Sequence, residues 1–153
     1  MPRPLRFFPR SGRKRVADLR TGATPSRHQR GGVLTDWQGF LADRPIAVLA
    51  TVGPDGTPHA VPVEVVVARA RVWCWCGSDS VKARNVERSG RAALVAYKGE
   101  RFALVRGPAR LVRAGEPEYD EITQAFLAKY GREETYGNDV LVEITPARVS
   151  AGE

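Results

Sequence analysis

The sequence predicts a mainly β, α+β protein: an antiparallel barrel with short helices packed on its outside. Six short segments rich in valine and other apolar residues have the length and composition of strands, and turn-forming residues separate them. Only three segments have the apolar spacing or the capping residues of helices. Many short strands with few helices between them favour an antiparallel barrel over a parallel sheet.

The first predicted element is a short helix that begins at a capping box. Thr35 is the expected N-cap, and Gln38 stands at the third helical position, where its side chain can bond back to the cap. Pro45 ends this helix near Arg44, because the residue before a proline disfavours the helical conformation.

A hairpin follows this helix. The strand predicted over 46–52 is apolar on both faces and rich in β-branched residues, which is typical of a buried strand. The sequence Gly-Pro-Asp-Gly at 53–56 predicts a turn, and the returning strand is expected over 58–67.

The third predicted strand, 72–76, places tryptophans on one face and cysteines on the other. Trp73 and Trp75 alternate with Cys74 and Cys76, and both pairs are expected to be buried. The cysteines are too close in sequence for an ordinary disulfide, and no CxxC motif or histidine cluster accompanies them. We therefore expect buried thiols and no metal site.

The second half of the chain supplies three further strands and one more helix. Strands are predicted over 91–98 and 102–112, with Gly-Pro at 107–108 expected to interrupt the second of them as a bulge or an edge. A helix over 117–130 begins with proline, which suits a first helical position, and a glycine follows its end. The sixth strand is predicted over 139–145.

Positive charge is concentrated at the start of the chain. Residues 1–32 carry nine basic residues and one acidic residue, a net charge of +8, whereas the rest carries 15 basic and 16 acidic residues. The many prolines and glycines of this segment predict a basic, disordered extension ahead of one folded domain, 33–153. We regard it as a passive extension or a misplaced start codon, and do not expect nucleic acid as a partner.

The composition also bears on location. No apolar run approaches the ~20 residues that span a bilayer, and the basic segment lacks the apolar stretch of a secretory signal. We therefore expect a cytoplasmic protein with no membrane partner.

The turn Gly77–Lys82 is the best candidate for a site that carries chemistry. It precedes a helix that Ser80 can cap and that is expected to run to about Arg88, with Gly90 at its C-terminal stop. The free N–H groups of a helix start attract anions, so this pattern suits a phosphate group. The side chains that can add donors or charge are Ser78, Ser80, Lys82, Arg84 and Asn85. The alternative is an ordinary capped surface helix with solvated basic residues.

Other candidates lie on the predicted hairpin. Pro62 cannot donate a hydrogen bond, so its strand must have a gap or an edge there, near Thr51 and Val63. Such a gap can leave backbone groups free for a planar ligand, although an edge strand alone explains it. His59 follows the turn and could donate a proton or contact a ring, although a single exposed histidine is more often inert. The sequence has no Ser-His-Asp, paired-carboxylate or GxGxxG pattern.

Several of these segments together resemble the pyridoxamine 5′-phosphate oxidase-like split β-barrel proteins. The segments IAVLAT at 46–51, DGTPH at 55–59 and PV at 62–63 are similar to the first hairpin of that family. The segment SVKARNV at 80–86 resembles its S-x-K-x-x-N-hydrophobic element, which binds the cofactor phosphate, and 142–149 is similar to its usual last strand.

The resemblance implies a homodimer of six- or seven-stranded split barrels with two cofactors, FMN or coenzyme F420, in clefts at the interface. Ser80 and Lys82 would hold the cofactor phosphate, with Arg84 and Asn85 nearby. The residues expected to line the ring and ribityl region are Thr51, Pro62, Val63, Trp75 and Cys76.

The chain departs from true pyridoxamine-phosphate oxidases. Val61 and Val66 stand where that enzyme has an arginine and a lysine for the phosphate, and its C-terminal substrate-binding pattern is missing. The short sequence HAVPV at 59–63 looks more like the F420-dependent reductase branch. The hypothesis is therefore a flavin- or deazaflavin-dependent oxidoreductase that moves a hydride to or from a small conjugated substrate. The alternative is a non-catalytic carrier or sensor of FMN, F420 or haem.

Overall fold

The computed structural model describes residues 34–132 and 137–152, and the predicted extension 1–32 lies outside them. Within these residues there are three helices and eight strands. The helices are α1 Trp37–Ala42, α2 Val81–Ser89 and α3 Tyr119–Tyr130. The strands are β1 Ala47–Val52, β2 Pro58–Val63, β3 Val65–Ala68, β4 Arg71–Gly77, β5 Arg91–Lys98, β6 Arg101–Val112, β7 Asp139–Ile144 and β8 Arg148–Gly152.

The strands form one antiparallel split barrel. Their order is β2-β1-β5-β6-β7-β4-β3, and β8 pairs with β6 beside this path. Because β2 and β3 are consecutive in the chain but lie at opposite ends of this order, the sheet curves around a common core. Fully buried side chains such as Leu49, Leu94 and Val105 fill its inside. The predicted mainly β, antiparallel split barrel with short flanking helices is confirmed.

The number of strands exceeds the prediction for two reasons. The segment expected to form one strand over 58–67 is two strands, because the chain breaks at Glu64. There the hydroxyl of Tyr130 accepts a hydrogen bond from Val65 N at 2.8 Å and donates one to Pro45 O at 2.7 Å. The second reason is the last strand, β8, which no local pattern in the sequence predicted.

Strand β6 has no bulge at Gly107–Pro108, since it runs through these residues over twelve residues in unbroken register with β5. On one side, however, the strand changes partner here: it pairs with β8 up to Arg106 and with β7 from Ala109. A Cβ atom at position 107 would lie 1.9 Å from Thr145 O. Gly107 is therefore required where two parts of the sheet cross.

The first helix begins one residue later than predicted. Asp36, and not Thr35, is the N-cap, since its Oδ1 accepts a hydrogen bond from Gly39 N at 2.8 Å. This helix also ends at Ala42, before the predicted Arg44, and α3 starts at Tyr119 after a turn that contains Pro117.

The two faces of β4 separate two apolar clusters, as the alternation in the sequence predicted. Cys74 and Cys76 belong to the core inside the barrel. Trp73 and Trp75 face helix α3, and the ring centroids of Trp75 and Phe126 are 5.2 Å apart. Within 34–132 and 137–152, none of the helices has the length and apolar character that crossing a membrane requires.

Candidate cofactor-binding site

A pocket of about 260 Å³ lies where the start of α2 meets the ends of β2, β4 and α3. Five of the predicted site residues line it: Pro62, Val63, Trp75, Cys76 and Lys82. They come from three separate elements, β2, β4 and the first turn of α2. The fold thus brings together half of the residues that the sequence indicated for cofactor binding.

The first turn of α2 presents donors to this pocket. Ser80 caps the helix, its Oγ accepting a hydrogen bond from Ala83 N at 3.3 Å. The turn before it is fixed by Ser80 N donating to Gly77 O at 3.1 Å. The cap satisfies the N–H of Ala83 and leaves the N–H groups of Val81 and Lys82, which come before it. These two groups are therefore available to an anion at the positive end of the helix. The Lys82 side chain, which lines the pocket, adds a full positive charge.

Asn85 and Thr51 form a buried link between α2 and β1. Asn85 is 2% and Thr51 3% exposed, and Asn85 Nδ2 donates to Thr51 Oγ1 at 3.0 Å. The guanidinium group of Arg88 donates to Asn85 Oδ1 at 3.1 Å and to Val52 O. The hydrogen-bonding groups of Asn85 are therefore engaged within the protein, and the link sets the position of the helix against the sheet.

The remaining predicted residues lie outside the lining of this pocket. Ser78 and Arg84 are at the exposed start of α2, where Arg84 donates to Asp79 O. His59 is half-buried on β2, opposite Thr51 of β1. Thr51 lines a different pocket, at the far end of α2.

The pocket is bordered by an ion pair that no sequence pattern predicted. Arg132 and Glu64 meet through two parallel hydrogen bonds, of which Nη1 to Oε2 measures 2.8 Å. The Arg132 guanidinium carbon also lies 5.9 Å from the ring centroid of Trp75. These two residues are 68 positions apart in the chain, and the hydroxyl of Tyr130 is bonded to Val65 N beside them.

The two thiols near the pocket are uncharged. Burial is the main cause that raises the pKa of both Cys74 and Cys76. The side-chain hydrogen bond between Cys76 and Ser80 and the nearby Lys82 ammonium oppose the shift only in part. A neutral thiol is a poor nucleophile and a poor metal ligand. Among the residues that the structure describes, no group of three or more histidine, cysteine or acidic side chains could hold a metal ion.

The donor set fits a ligand with a phosphate head and a flat apolar body. The helix start and Lys82 supply positive charge at one end, and Pro62, Val63 and Trp75 supply apolar surface beside it. The indole N–H of Trp75 is buried and has no hydrogen-bond partner within the described part of the chain. Two acidic residues, Glu64 and Asp139, also line the pocket, and Arg132 neutralises Glu64.

Known proteins resemble this chain in sequence pattern and in fold. The family model described as pyridoxamine 5′-phosphate oxidase matches residues 34–151. No curated protein sequence matches the chain significantly.

Among solved structures, the conserved hypothetical protein Rv2991 from Mycobacterium tuberculosis has a TM-score of 0.70 at 23% identity, and the match covers 85% of this chain and 90% of that one. An F420 reductase gives 0.59 at 21% identity, covering 72% and 94%. HutZ, the heme storage protein from Vibrio cholerae, gives 0.64 at 16% identity, covering 78% and 94%. At these identities the structures show a shared fold. Because the family model spans most of the chain, the protein belongs to the pyridoxamine 5′-phosphate oxidase-like family of split β-barrels.

Proposed function

We propose that the protein is a flavin- or deazaflavin-dependent oxidoreductase of the F420-reductase type, acting on a small conjugated substrate. One observation carries the proposal: the fold gathers Lys82 and the free start of α2 beside Pro62, Val63 and Trp75 in one pocket. Other proteins of this fold are named as an F420 reductase and as FAD-binding proteins of Mycobacterium smegmatis and Mesorhizobium loti.

The bound cofactor would supply hydride transfer, and the protein would hold and orient it. Lys82 and the N–H groups of Val81 and Lys82 would bind the phosphate, because opposite charge and free donors meet there. Trp75 and Val63 would contact the ring and exclude water from one side of it. The proton that accompanies the hydride would come from solvent, from His59 or from a tyrosine.

The small pocket of one subunit supports a homodimer in which a second copy completes the cofactor site. Its volume of about 260 Å³ lies below the ~300–1,000 Å³ typical of sites for drug-sized ligands. An apolar face is available for a second copy on the outside of β2, β1, β5, β6 and β8. The cross-strand pairing places its side chains next to one another on neighbouring strands. The members of this face include Ala60, Pro62, Val48, Ala50, Val95, Leu104, Phe102 and Tyr97, of which Tyr97 is 72% exposed.

A carrier or sensor without turnover is the second candidate. It is favoured by the lining of the pocket, in which Glu64 is held by Arg132 and the thiol of Cys76 is neutral. Neither group is poised as a general acid or base. One protein of the same fold is named as a heme storage protein.

The test is a fluorescence titration of the full chain with F420 and with FMN, followed by assays of the reduced cofactor with enones and quinones. Micromolar or tighter binding of one cofactor and substrate-dependent oxidation would support the oxidoreductase. Tight binding without turnover would favour the carrier. Binding of neither would contradict the proposed site.

A further inference from the structure

The last turn of α3 holds the break between β2 and β3 through two neighbouring side chains. The Tyr130 hydroxyl accepts a hydrogen bond from Val65 N at 2.8 Å and donates one to Pro45 O at 2.7 Å. The Lys129 ammonium donates to Val65 O at 2.6 Å and to Arg44 O at 2.8 Å. The backbone of Val65 is therefore bonded to α3 through both its N–H and its C=O, and the same two side chains hold the loop before β1.

Arg132 adds an ion pair to this attachment. Its guanidinium group makes two parallel hydrogen bonds to Glu64, the residue at the break itself. The side chains of this pair are 33% and 19% exposed, whereas those of the similar pair of Arg69 and Glu121, at the other end of α3, are 49% and 53% exposed. Water screens a less exposed pair less, so Arg132 holds the break more firmly than an ordinary surface pair would. We call three residues together the α3 clamp: Lys129, Tyr130 and Arg132.

The α3 clamp attaches to a wall of the candidate cofactor site that has little other support. Pro62, Val63 and Glu64 are consecutive lining residues at the end of β2 and just beyond it. Strand β2 lies at one end of the strand order and, among the described strands, pairs with β1 alone. That pairing ends at Val63, and Pro62 has no N–H to contribute to it. The position of this wall therefore depends on what holds the chain at Glu64 and Val65.

A second wall of the site, formed by Trp75, contacts the same helix. The ring centroids of Trp75 and Phe126 are 5.2 Å apart, and Phe126 stacks on Tyr130 at 6.1 Å. The Arg132 guanidinium carbon lies 5.9 Å from the Trp75 ring centroid. Trp75 belongs to β4, which is not a neighbour of β2 in the strand order. No backbone ladder between β2 and β4 therefore sets the distance between the two walls, whereas α3 contacts both.

We propose that the α3 clamp sets the distance between these two walls and so determines how tightly the site binds the flat ring of its cofactor. Tyr130, which does not line the pocket, acts as a positioning residue, and Arg132 acts with it through Glu64. The inference rests on the proposed function, because it concerns the same site. The phosphate contacts lie on a different element, α2, so the α3 clamp acts on the ring and leaves the phosphate contribution unchanged.

The test titrates the full chain with each cofactor and with the same ring lacking its phosphate: FMN against riboflavin, and F420 against its deazariboflavin. Tyr130→Phe removes only the hydroxyl, and Arg132→Gln removes the ion pair. Arg69→Gln is the matched control, since it breaks a pair of the same type with Glu121, away from the pocket. Glu64→Arg/Arg132→Glu restores the pair in reverse and keeps the summed charge of the lining. Thermal unfolding of each variant gives a temperature at which it is folded.

We expect Tyr130→Phe and Arg132→Gln to weaken binding of the ring about fivefold or more, and binding of the phosphorylated cofactor by the same factor. Arg69→Gln should bind as wild type does, and the reversed pair should recover most of the affinity that Arg132→Gln loses. Lys82→Ala, by contrast, should weaken binding of the phosphorylated cofactor only.

Wild-type affinity for the ring in a folded Tyr130→Phe would overturn the proposal, as would a reversed pair that binds no better than Arg132→Gln. A larger loss for the phosphorylated cofactor than for the ring would also overturn it, since the α3 clamp would then act through α2. Failure of the proposed function looks different, because wild type would then bind neither cofactor, and this inference would fall with it. If Tyr130→Phe does not fold, Arg132→Gln and the reversed pair decide the proposal, with the same outcomes.

Discussion

The two ends of helix α2 offer different chemistry to a ligand. At its start, Lys82 stands beside an aromatic ring and a neutral thiol, and the lining also holds Asp139 and the ion pair of Arg132 with Glu64. At its end, three arginines face an apolar wall without an acidic residue in the lining. The first site suits a phosphate attached to a flat ring, and the second lies on the sheet face proposed above for a second copy of the chain.

The difference also lies in how each site is built. The first depends on a contiguous turn, since Ser80 caps the helix and Lys82 follows within the same turn. The second depends on register, because Arg91, Arg106 and Arg148 come from three strands that pair side by side. Changes to the crossing of β6 should therefore affect the second site most, and changes to the helix cap should affect the first.

The largest effect is expected from Gly107→Ala. The new Cβ would lie 1.9 Å from a backbone oxygen that cannot move as a side chain does, so the sheet crossing must shift. Overpacking of this kind costs about 1–3 kcal/mol, and we expect a loss of unfolding free energy at or above the top of that range. Urea denaturation measures this loss of unfolding free energy.

Gly137→Ala is the matched control, because a Cβ there meets nothing within 4 Å and its backbone is unstrained. Its stability should stay within about 0.5 kcal/mol of wild type. If Gly107→Ala were equally stable, the close approach of position 107 to the backbone of Thr145 would be wrong.

A smaller effect is expected from Asn85→Ala, which cuts the buried link to Thr51. The change removes one side-chain hydrogen bond to Thr51 Oγ1 and one from Arg88. Leaving buried polar groups without partners costs about 1–3 kcal/mol, so the unfolding free energy should fall by about 2 kcal/mol.

The exposed neighbour Arg84→Ala provides the comparison for stability, and it should change the unfolding free energy little. Cofactor titration of Asn85→Ala at a temperature where it is folded separates the two possible roles. Wild-type stability combined with lost cofactor affinity would mean that Asn85 contacts the ligand and does not anchor the helix.

The smallest effect is expected from Ser80→Ala, which removes the cap of α2. Loss of a serine N-cap lowers the free energy of unfolding by about 0.5–2 kcal/mol, and we expect a loss near 1 kcal/mol for Ser80→Ala. Thermal unfolding of Ser78→Ala is the control, because Ser78 is exposed and makes no side-chain hydrogen bond within the described residues. Equal melting temperatures for the two variants would contradict the assignment of Ser80 as the cap.

The sequence predicted those features of the structure that residues close together in the chain determine. The alternation of Trp73 and Trp75 with the cysteines predicted the two faces of β4, and Ser80 and Gly90 predicted the limits of α2. In each case the residues that determine the structure lie within about ten positions of one another.

Features caused by distant residues could not be predicted in the same way. The break at Glu64 depends on Tyr130, whose hydroxyl contacts Val65 from 65 positions away. For the same reason Arg132 was missed as a neighbour of the site, and so was the clustering of Arg91, Arg106 and Arg148 on one face of the sheet. The SVKARNV motif identified the start of α2 as a site, but it could not show that Asn85 is held by Thr51.

The most direct test of the central claim compares two ligands and two proteins. Riboflavin is FMN without its phosphate, so titrating both into wild type and into Lys82→Ala isolates the contribution of the phosphate contact. A hydrogen bond to a charged group contributes about 1.5–3 kcal/mol, so Lys82→Ala should bind FMN about 10- to 100-fold more weakly and riboflavin as wild type does. Unchanged FMN affinity, or an equal loss for both ligands, would contradict the claim that the start of α2 holds the cofactor phosphate.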